Sequence, residues 1–325
     1  MSNTAIPQSG RYTIESIGMT VGDMDRSIDF YTTVLTFTKT GDRQITGVAS
    51  DDVLPLQADP IPSAANLQLR IVTLQLGAET IELTQCLKHP GQPIPPDSRS
   101  NDRWFQHLAI VVSDMDRAYE HVRQHSVVQI PPPQTLPDWN PVAGGIQAVY
   151  FQDPDGHNLE LLHFPTAKAA PKWQQPTTDL FLGIDHTAIV VADTAASRVF
   201  YCDLLGLQLK QESENFGSEQ ERLSGIAAVK VRSSLTAAGV GIELLEYLEP
   251  TDGRSIPPDT ESNDLWCLQT KIVVADALET VQQLTAAQFP LISTEVSRSN
   301  TSTLEFDRQF LVKDPDGHTI RLVDP

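Results

Sequence analysis

The sequence predicts an α+β protein built from four βαβββ units, which form two tandem halves. Repeated segments are the first observation that predicts this class. DPDGHNLELLHFP, which begins at Asp153, returns as DPDGHTIRLVDP from Asp314, 161 positions later. The longer block Gly91 to Asp116 matches Gly253 to Leu278 with an offset of 162. Near-constant offsets over most of the length indicate an internal duplication.

Each half contains a second, weaker repeat, in which a β-branched strand ends at an Asp and is followed by an amphipathic helix. Because an Asp carboxylate accepts hydrogen bonds from the free amides of a first helical turn, each Asp is a predicted N-cap. The four segments are IGMTVGD from Ile17, LAIVVSD from Leu108, TAIVVAD from Thr187 and TKIVVAD from Thr270. Short strands and tight DPDG turns follow, so each segment opens one βαβββ unit.

The repeats also predict where the halves begin and end. The first half spans residues 12–165 and the second spans 183–325. Each is long enough to bury a core of its own. The segment 166–182 matches neither half and, with Pro171 and Pro176, has the composition of a linker.

The composition is that of a soluble globular protein, with 40% hydrophobic and 20% charged residues. A net charge of −19 without a basic run argues against a nucleic-acid partner, since phosphate binding needs a clustered basic surface. No apolar run approaches the roughly 20 residues of a membrane span, and the N-terminus lacks the features of a signal peptide. Three scattered cysteines without CxxC spacing indicate a reducing compartment, so we expect a cytoplasmic protein.

Two positions in every unit could carry chemistry. One lies at the start of the opening strand, seven residues before its terminal Asp, and the other is the polar residue inside an apolar closing strand. A charged residue between apolar neighbours on a strand faces either solvent or a cavity. Because a Glu recurs there in three units, we expect a cavity. The opening-strand residues are Ser16, His107, His186 and Gln269, and the closing-strand residues are Glu82, Glu160, Glu243 and Arg321.

With these residues in place, the chain resembles the vicinal oxygen chelate superfamily, which includes glyoxalase I, extradiol dioxygenases and bleomycin-resistance proteins. The resemblance rests on the four βαβββ units, the His that opens a first strand, the Glu that closes a last strand, and the helix sequences FYTTVLTF and FYCDLLG. It covers nearly the whole chain apart from the linker and the first dozen residues. It implies two tandem domains with cupped mixed sheets, in which two units share a cup and hold one divalent metal on its concave face.

Which units share a cup decides which residues meet. Pairing of neighbours within a half would give two incomplete ligand sets: Ser16, Glu82, His107 and Glu160 in one cup, and His186, Glu243, Gln269 and Arg321 in the other. The resemblance to four-unit glyoxalase I chains favours interleaved halves, in which the second unit pairs with the third. Interleaving predicts a complete metal site of His107, Glu160, His186 and Glu243, and a degenerate second site of Ser16, Glu82, Gln269 and Arg321.

Two imidazoles and two carboxylates leave two positions of an octahedral ion for waters or for a substrate with two adjacent oxygens. Ni²⁺, Co²⁺, Mn²⁺, Fe²⁺ and Zn²⁺ all suit such a site. The ion would act as a Lewis acid toward the enediolate that forms when a neighbouring proton is removed. The resemblance to glyoxalase I implies Glu160 as the base, with Glu243 on the opposite face. We therefore expect a metal-dependent, glyoxalase-type lyase or isomerase with a small-molecule substrate.

Two rival functions stay open. An Fe²⁺-dependent ring-cleaving dioxygenase would take two His and one Glu from adjacent units; here these would be His186, Gln269 and Arg321, and only the first fits. A ligand-sequestering protein of the resistance type would bind a small molecule without metal and without turnover. The oligomeric state expected is a monomer or a homodimer.

Two remaining features have structural interpretations. His157 and His318 follow the DPDG turns and are predicted to cap them. The repeated loops Pro93–Asp102 and Ser255–Asp264 are proline-rich and are predicted to be rigid spacers. An alternative interpretation is that Arg99, Arg103 and Trp104 line the mouth of a pocket.

Overall fold

The computed structural model describes residues 13–46, 68–125, 129–237, 240–292, 297–298 and 308–324, and its elements follow the predicted four units. The first unit contains β1 (Thr13–Thr20), α1 (Met24–Asp29), β2 (Thr38–Thr46), β3 (Gln68–Leu76) and β4 (Glu79–Cys86). The second contains β5 (Gln106–Val112), α2 (Met115–His125), β6 (Gln134–Thr135), β7 (Gln147–Gln152) and β8 (Asn158–His163). The third contains β9 (Phe181–Val191), α3 (Thr194–Arg198), β10 (Gln208–Phe216), α4 (Ser218–Ser224), β11 (Lys230–Ala237) and β12 (Gly241–Glu249). The fourth contains β13 (Leu268–Val273), α5 (Ala277–Ala286), β14 (Ser297–Arg298), β15 (Arg308–Lys313) and β16 (Thr319–Asp324).

Three short helical turns complete the assignment. π-helical turns at Phe30–Val34 and Val199–Leu204 extend α1 and α3, and a 3₁₀ turn at Pro171–Gln174 lies in the predicted linker. Among the described residues, no helix has both the length and the apolar character needed to cross a membrane.

The strands form two eight-stranded mixed sheets, and each sheet takes strands from both halves of the sequence. One has the order β14-β15-β16-β13-β1-β4-β3-β2, and the other has the order β10-β11-β12-β9-β5-β8-β7-β6. The opening strands meet in antiparallel pairs, β1 with β13 and β5 with β9. The predicted interleaving is therefore confirmed, because the second unit shares its sheet with the third and the first shares its sheet with the fourth.

The Asp residues that end the opening strands cap the helices as predicted. Each accepts hydrogen bonds from backbone amides of the first helical turn: Asp23 from Arg26, Asp114 from Arg117, Asp193 from Ala195 and Ala196, and Asp276 from Leu278 and Glu279. The opening strands also contribute to the main hydrophobic core, each with at least one fully buried isoleucine, among them Ile17, Ile110, Ile189 and Ile272. Alternation along a strand then turns the residue just before Ile17, which is Ser16, to the opposite face of the sheet.

The two DPDGH turns join units together. The buried Asp153 accepts hydrogen bonds from the Tyr31 hydroxyl (3.0 Å) and from the His157 backbone amide (2.9 Å). The His157 ring links the Asp153 carboxylate (2.8 Å) to the backbone oxygen of Leu265 (2.8 Å). The second turn repeats this arrangement, with Asp314 bonded to Tyr201 and His318, whose ring reaches the Arg103 oxygen. The predicted capping role of both histidines is confirmed, and each ring also contacts a different unit.

Candidate metal centre

The seam between β5 and β9 brings four predicted ligands onto one face of the second sheet. In the antiparallel ladder His186 pairs with Ala109 and His107 pairs with Ala188. The flanking parallel ladders place Glu160 beside Ala109 and Glu243 beside Ala188. Neighbours in register share a face, so each small alanine lies between an imidazole and a carboxylate. The four side chains thus come from four adjacent strands around a space that two alanines leave open.

The donor atoms of these side chains converge. The Oε2 atom of Glu160 lies 3.3 Å from Nε2 of His107 and 3.7 Å from Nε2 of His186. The Oε2 atom of Glu243 lies 3.2 Å from Nε2 of His186. His107, His186 and Glu243 each offer one ligand atom, and these atoms all lie within 4.8 Å of one another. The arrangement is that of a possible His/Glu metal site.

The hydrogen bonding of the two histidines fits a cation. Both ring nitrogens of His107 and the Nε2 atom of His186 are buried and have no hydrogen-bond partner among the residues that the structure describes. A buried polar atom left without a partner costs about 1–3 kcal/mol, and a metal would satisfy the nitrogens that face the cup. Nδ1 of His186 lies 3.0 Å from Asp185, which fixes the ring and leaves Nε2 for the cup. The residues present therefore fit a divalent ion of the imidazole- and carboxylate-binding type.

The charges in this cup are strongly coupled. Burial disfavours an imidazolium, but the Glu243 and Asp185 carboxylates outweigh it and raise the pKa of His186 well above its usual value. Burial likewise disfavours ionised Glu243, but His186 outweighs it and lowers the pKa of Glu243 to about 2. A proton on His186 therefore balances the negative charge of the neighbouring carboxylates, and binding of a metal to Nε2 would displace that proton.

The two carboxylates are not equivalent. The Ser233 hydroxyl donates a short hydrogen bond to Oε1 of Glu243. Glu160 has no such hydroxyl donor among the described residues, and its Oε2 atom lies beside the two imidazoles. Beside it on β7 lies Tyr150, which pairs with Glu160 in the ladder. Asp185, Ser233 and Tyr150 were not predicted. Only Asp185, directly before a predicted ligand, had a signal in the sequence.

The four residues of the predicted degenerate site meet in the first sheet in the equivalent register. Gln269 and Glu82 flank Gly18, and Ser16 and Arg321 flank Lys271. Lys271 therefore stands where the other cup has Ala109, and its ammonium lies 3.7 Å from the Glu82 carboxylate.

Two more cations surround the same carboxylate in this second cup. Arg321 lies 3.9 Å from Glu82 and Arg43 lies 3.5 Å from it. Burial alone would raise the pKa of Glu82, but Lys271, Arg321 and Arg43 outweigh burial and lower it. These residues do not fit a divalent metal, because three positive side chains would repel it.

Two cavities adjoin the candidate centre. An inner cavity of about 90 Å³ is lined by Glu160, His186 and Glu243, and an outer chamber of about 510 Å³ lies next to it. Arg99 and Trp104 line the outer chamber, as the alternative interpretation of the proline-rich loop proposed. Arg103 is not among its lining residues; it forms an ion pair with Asp316 at 3.3 Å.

The chain is similar to several known proteins. The family model described as "Glyoxalase/Bleomycin resistance protein/Dioxygenase superfamily" matches residues 13–161 and 183–322. A protein from Actinomyces sp named 2-epi-5-epi-valiolone epimerase is 33% identical over 187 residues, which cover 56% of this chain and 93% of that protein.

Solved structures with a similar fold have much lower identity. Glyoxalase I from Zea mays superimposes with a TM-score of 0.62 at 17% identity, covering 97% of this chain and 93% of that one. A putative dioxygenase from Bacillus subtilis superimposes with a TM-score of 0.53 at 14% identity, covering 96% of this chain and 84% of that one. At these identities the likeness extends to the fold alone.

Proposed function

Because the chain belongs to the glyoxalase/bleomycin resistance protein/dioxygenase superfamily, we propose that it is a divalent-metal-dependent isomerase or lyase. Its substrate would be a small molecule with two adjacent oxygens, and its reaction would move a proton on the carbon next to a carbonyl. The observation that carries the proposal is the set of buried imidazole nitrogens that have no hydrogen-bond partner in the described part of the chain and that meet two carboxylates in one cup. A bound divalent ion, held by His107, His186, Glu243 and Glu160, would supply a Lewis acid for the substrate oxygens.

Glu160 is the residue we assign as the base. A carboxylate that removes a proton from carbon works best when no other donor holds its oxygens. Glu243 accepts a hydrogen bond from Ser233 and has its pKa lowered to about 2, so it is a weak base. Glu160 lacks a comparable donor among the described residues and faces the inner cavity.

The lining of the inner cavity favours a neutral substrate rich in hydroxyl groups. Beyond the candidate ligands and the carboxylate of Asp185, its polar groups are amides and hydroxyls, namely those of Tyr150, Gln211, Ser213, Asn215, Gln220, Ser233 and Tyr247. No Lys or Arg lines this cavity in the part of the chain that the structure describes. A phosphate or a glutathione carboxylate would have no cationic partner there, whereas amides and hydroxyls pair well with substrate hydroxyl groups.

The named relatives support a proton transfer of this kind. An epimerase inverts a stereocentre, and where that carbon adjoins a carbonyl its proton is removed and returned on the other face. The relative named 2-epi-5-epi-valiolone epimerase covers 56% of this chain, and it favours the isomerase over the lyase. We therefore propose a hydroxylated ketone as the substrate class, with Glu160 removing the proton and Glu243 on the opposite face.

One observation favours a second candidate function. His107, His186 and Glu243 by themselves form a two-His, one-carboxylate group, the ligand set of many non-haem Fe²⁺ oxygenases. The position of Glu160 argues for the isomerase, because its carboxylate is within 3.7 Å of both imidazoles and would fill a fourth position.

Hydrogen–deuterium exchange on a model ketone tests the proposal. The full-length protein, loaded with Co²⁺ or Mn²⁺, is incubated in D₂O with 2-hydroxycyclohexanone, and loss of the proton next to the carbonyl is followed by NMR. We expect metal-dependent exchange that EDTA abolishes and that Glu160→Gln slows by roughly 100-fold or more. Glu120→Gln, at an exposed glutamate on α2 paired with Arg123, is the matched control and should keep the wild-type rate.

Three outcomes would refute the proposal. Purified protein without a bound divalent ion would argue for a ligand-binding protein. Oxygen consumption with Fe²⁺ and a catechol would favour the dioxygenase. Metal-dependent exchange that Glu160→Gln leaves unchanged would remove Glu160 from the reaction.

A further inference from the structure

Tyr150 projects into the metal-binding cup from β7. It pairs with Glu160 across the antiparallel β7–β8 ladder, so the two side chains share the concave face. Its ring centroid lies 4.9 Å from that of His107 and 5.9 Å from that of Phe105. These contacts hold the ring against a predicted metal ligand. Among the described residues the Tyr150 hydroxyl has no hydrogen-bond partner.

The residue also lies where the two cavities meet. Of the described residues that line them, Tyr150 and Leu223 alone line both the inner cavity of about 90 Å³ and the outer chamber of about 510 Å³. A molecule whose adjacent oxygens faced the donor atoms of Glu160 and His186 would therefore lie within reach of the phenol.

The phenol is neutral at physiological pH. The ordinary pKa of a tyrosine phenol is about 10, well above that pH. A neutral phenol in this position can donate a hydrogen bond and carries no charge of its own. The cavity therefore holds both a carboxylate and a neutral donor.

The other three units lack this group. At the ladder position of Tyr150, opposite the closing-strand residue, they carry Thr73 opposite Glu82, Leu235 opposite Glu243 and Leu311 opposite Arg321. The phenol is thus confined to the side of the cup that holds Glu160, the carboxylate without another donor.

We propose that Tyr150 is a catalytic residue, whose hydroxyl donates a hydrogen bond to the substrate oxygen on which negative charge develops as Glu160 removes the proton. This inference rests on the proposed function and adds the donor that the two carboxylates and two imidazoles do not supply. A fixed donor aimed at a developing oxyanion is a large contribution to catalysis, because it needs no reorientation during the reaction.

A binding experiment with an enediolate mimic tests the inference without turnover. Acetohydroxamate presents two adjacent oxygens and carries the negative charge of an enediolate. It is titrated into the full-length Co²⁺-loaded protein, and the visible spectrum of the cobalt reports its binding. We expect Tyr150→Phe to weaken acetohydroxamate binding by roughly 10- to 100-fold, the loss expected for one hydrogen bond to a charged group.

Two controls separate this loss from a structural effect. Tyr150→Phe should bind Co²⁺ with wild-type affinity, since it keeps the ring beside His107 and removes only the hydroxyl. Tyr119→Phe is the matched variant, because the Tyr119 hydroxyl donates to the backbone oxygen of Ile130 and lines neither cavity, and it should bind acetohydroxamate as the wild type does.

The outcomes distinguish this inference from the proposed function. Equal acetohydroxamate affinity in wild type and Tyr150→Phe would overturn the role of Tyr150 and leave the metal-dependent isomerase standing. A wild-type Co²⁺ spectrum that acetohydroxamate does not change would overturn both. An equal loss in Tyr119→Phe would also overturn the role of Tyr150, because it would show that removing a tyrosine hydroxyl outside the cup has the same effect.

Discussion

Replacement of Glu82 by Gln should destabilise the protein by the same amount whether or not a metal is present. Glu82 is the carboxylate at the centre of the second cup, within 3.5–3.9 Å of Arg43, Lys271 and Arg321. The side chains of Lys271 and Arg321 are only 13% and 7% exposed, so solvent would compensate little for the lost charge.

The magnitude follows from the burial and the distances. Removing one partner of a buried ion pair costs about 3–5 kcal/mol, because it leaves an uncompensated charge. The lower end, about 3 kcal/mol, applies here, since Glu15 would stay 3.1 Å from Lys271. The pair with Arg43 adds little, because the side chain of Arg43 is 38% exposed.

Glu243→Gln is the matched variant, because Glu243 occupies the equivalent position in the cup that holds the candidate metal centre. A metal at 100 times its dissociation constant would stabilise the wild type by about 2.7 kcal/mol. Glu243→Gln should lose most of that increment, whereas Glu82→Gln should keep it. Urea unfolding followed by tryptophan fluorescence, in EDTA and in excess Co²⁺, measures both quantities. A cost below about 1 kcal/mol for Glu82→Gln, or loss of its metal increment, would refute the reasoning.

Two further variants test the inter-unit turn and the orientation of a ligand. The pKa of Asp153 is lowered, because His157 and its hydrogen bonds outweigh burial. The contribution of Asp153 to stability is therefore present above the unfolded pKa, and it is lost as pH falls through the lower folded value. Asp153→Asn should therefore lower the urea midpoint at pH 7 and flatten its fall between pH 5 and 2, with exposed Asp116→Asn as the control. Asp185→Asn should weaken Co²⁺ binding by about 10- to 100-fold, measured against a competing chelator, because it removes the group that orients Nδ1 of His186. Unchanged affinity, or an equal loss in the exposed Asp203→Asn, would contradict that role.

The sequence was sufficient for the unit count, the capping residues and the convergence of the predicted ligands. Repeats and N-caps depend on local spacing, which a single chain displays directly. The pairing of units does not depend on local spacing, and interleaving was predicted only from the resemblance to four-unit relatives. The ladders β5–β9 and β1–β13 then confirmed it, and His107 and His186 met across the seam.

What the sequence did not predict depends on register between distant segments. Tyr150 is one of two aromatic residues in GIQAVYFQDP, and nothing local shows that it faces Glu160. Ser233 precedes its partner by ten residues on a neighbouring strand. Lys271 was visible as a Lys inside TKIVVAD, but its meaning required the position of Glu82 in the folded sheet.

The two cups neutralise a buried carboxylate in different ways. A buried carboxylate on a closing strand needs a positive partner. In the cup of the candidate metal centre, Ala109 leaves space that an exchangeable cation can fill. In the second cup Lys271 stands at the equivalent position and brings a covalently attached ammonium to Glu82. A tethered cation does not dissociate and does not leave coordination positions for a substrate. The carboxylate of the second cup is therefore neutralised permanently, but this cup cannot bind a substrate through a metal. Metal should therefore couple to the stability of only one of the two sheets, which is the difference that the Glu82 and Glu243 variants measure.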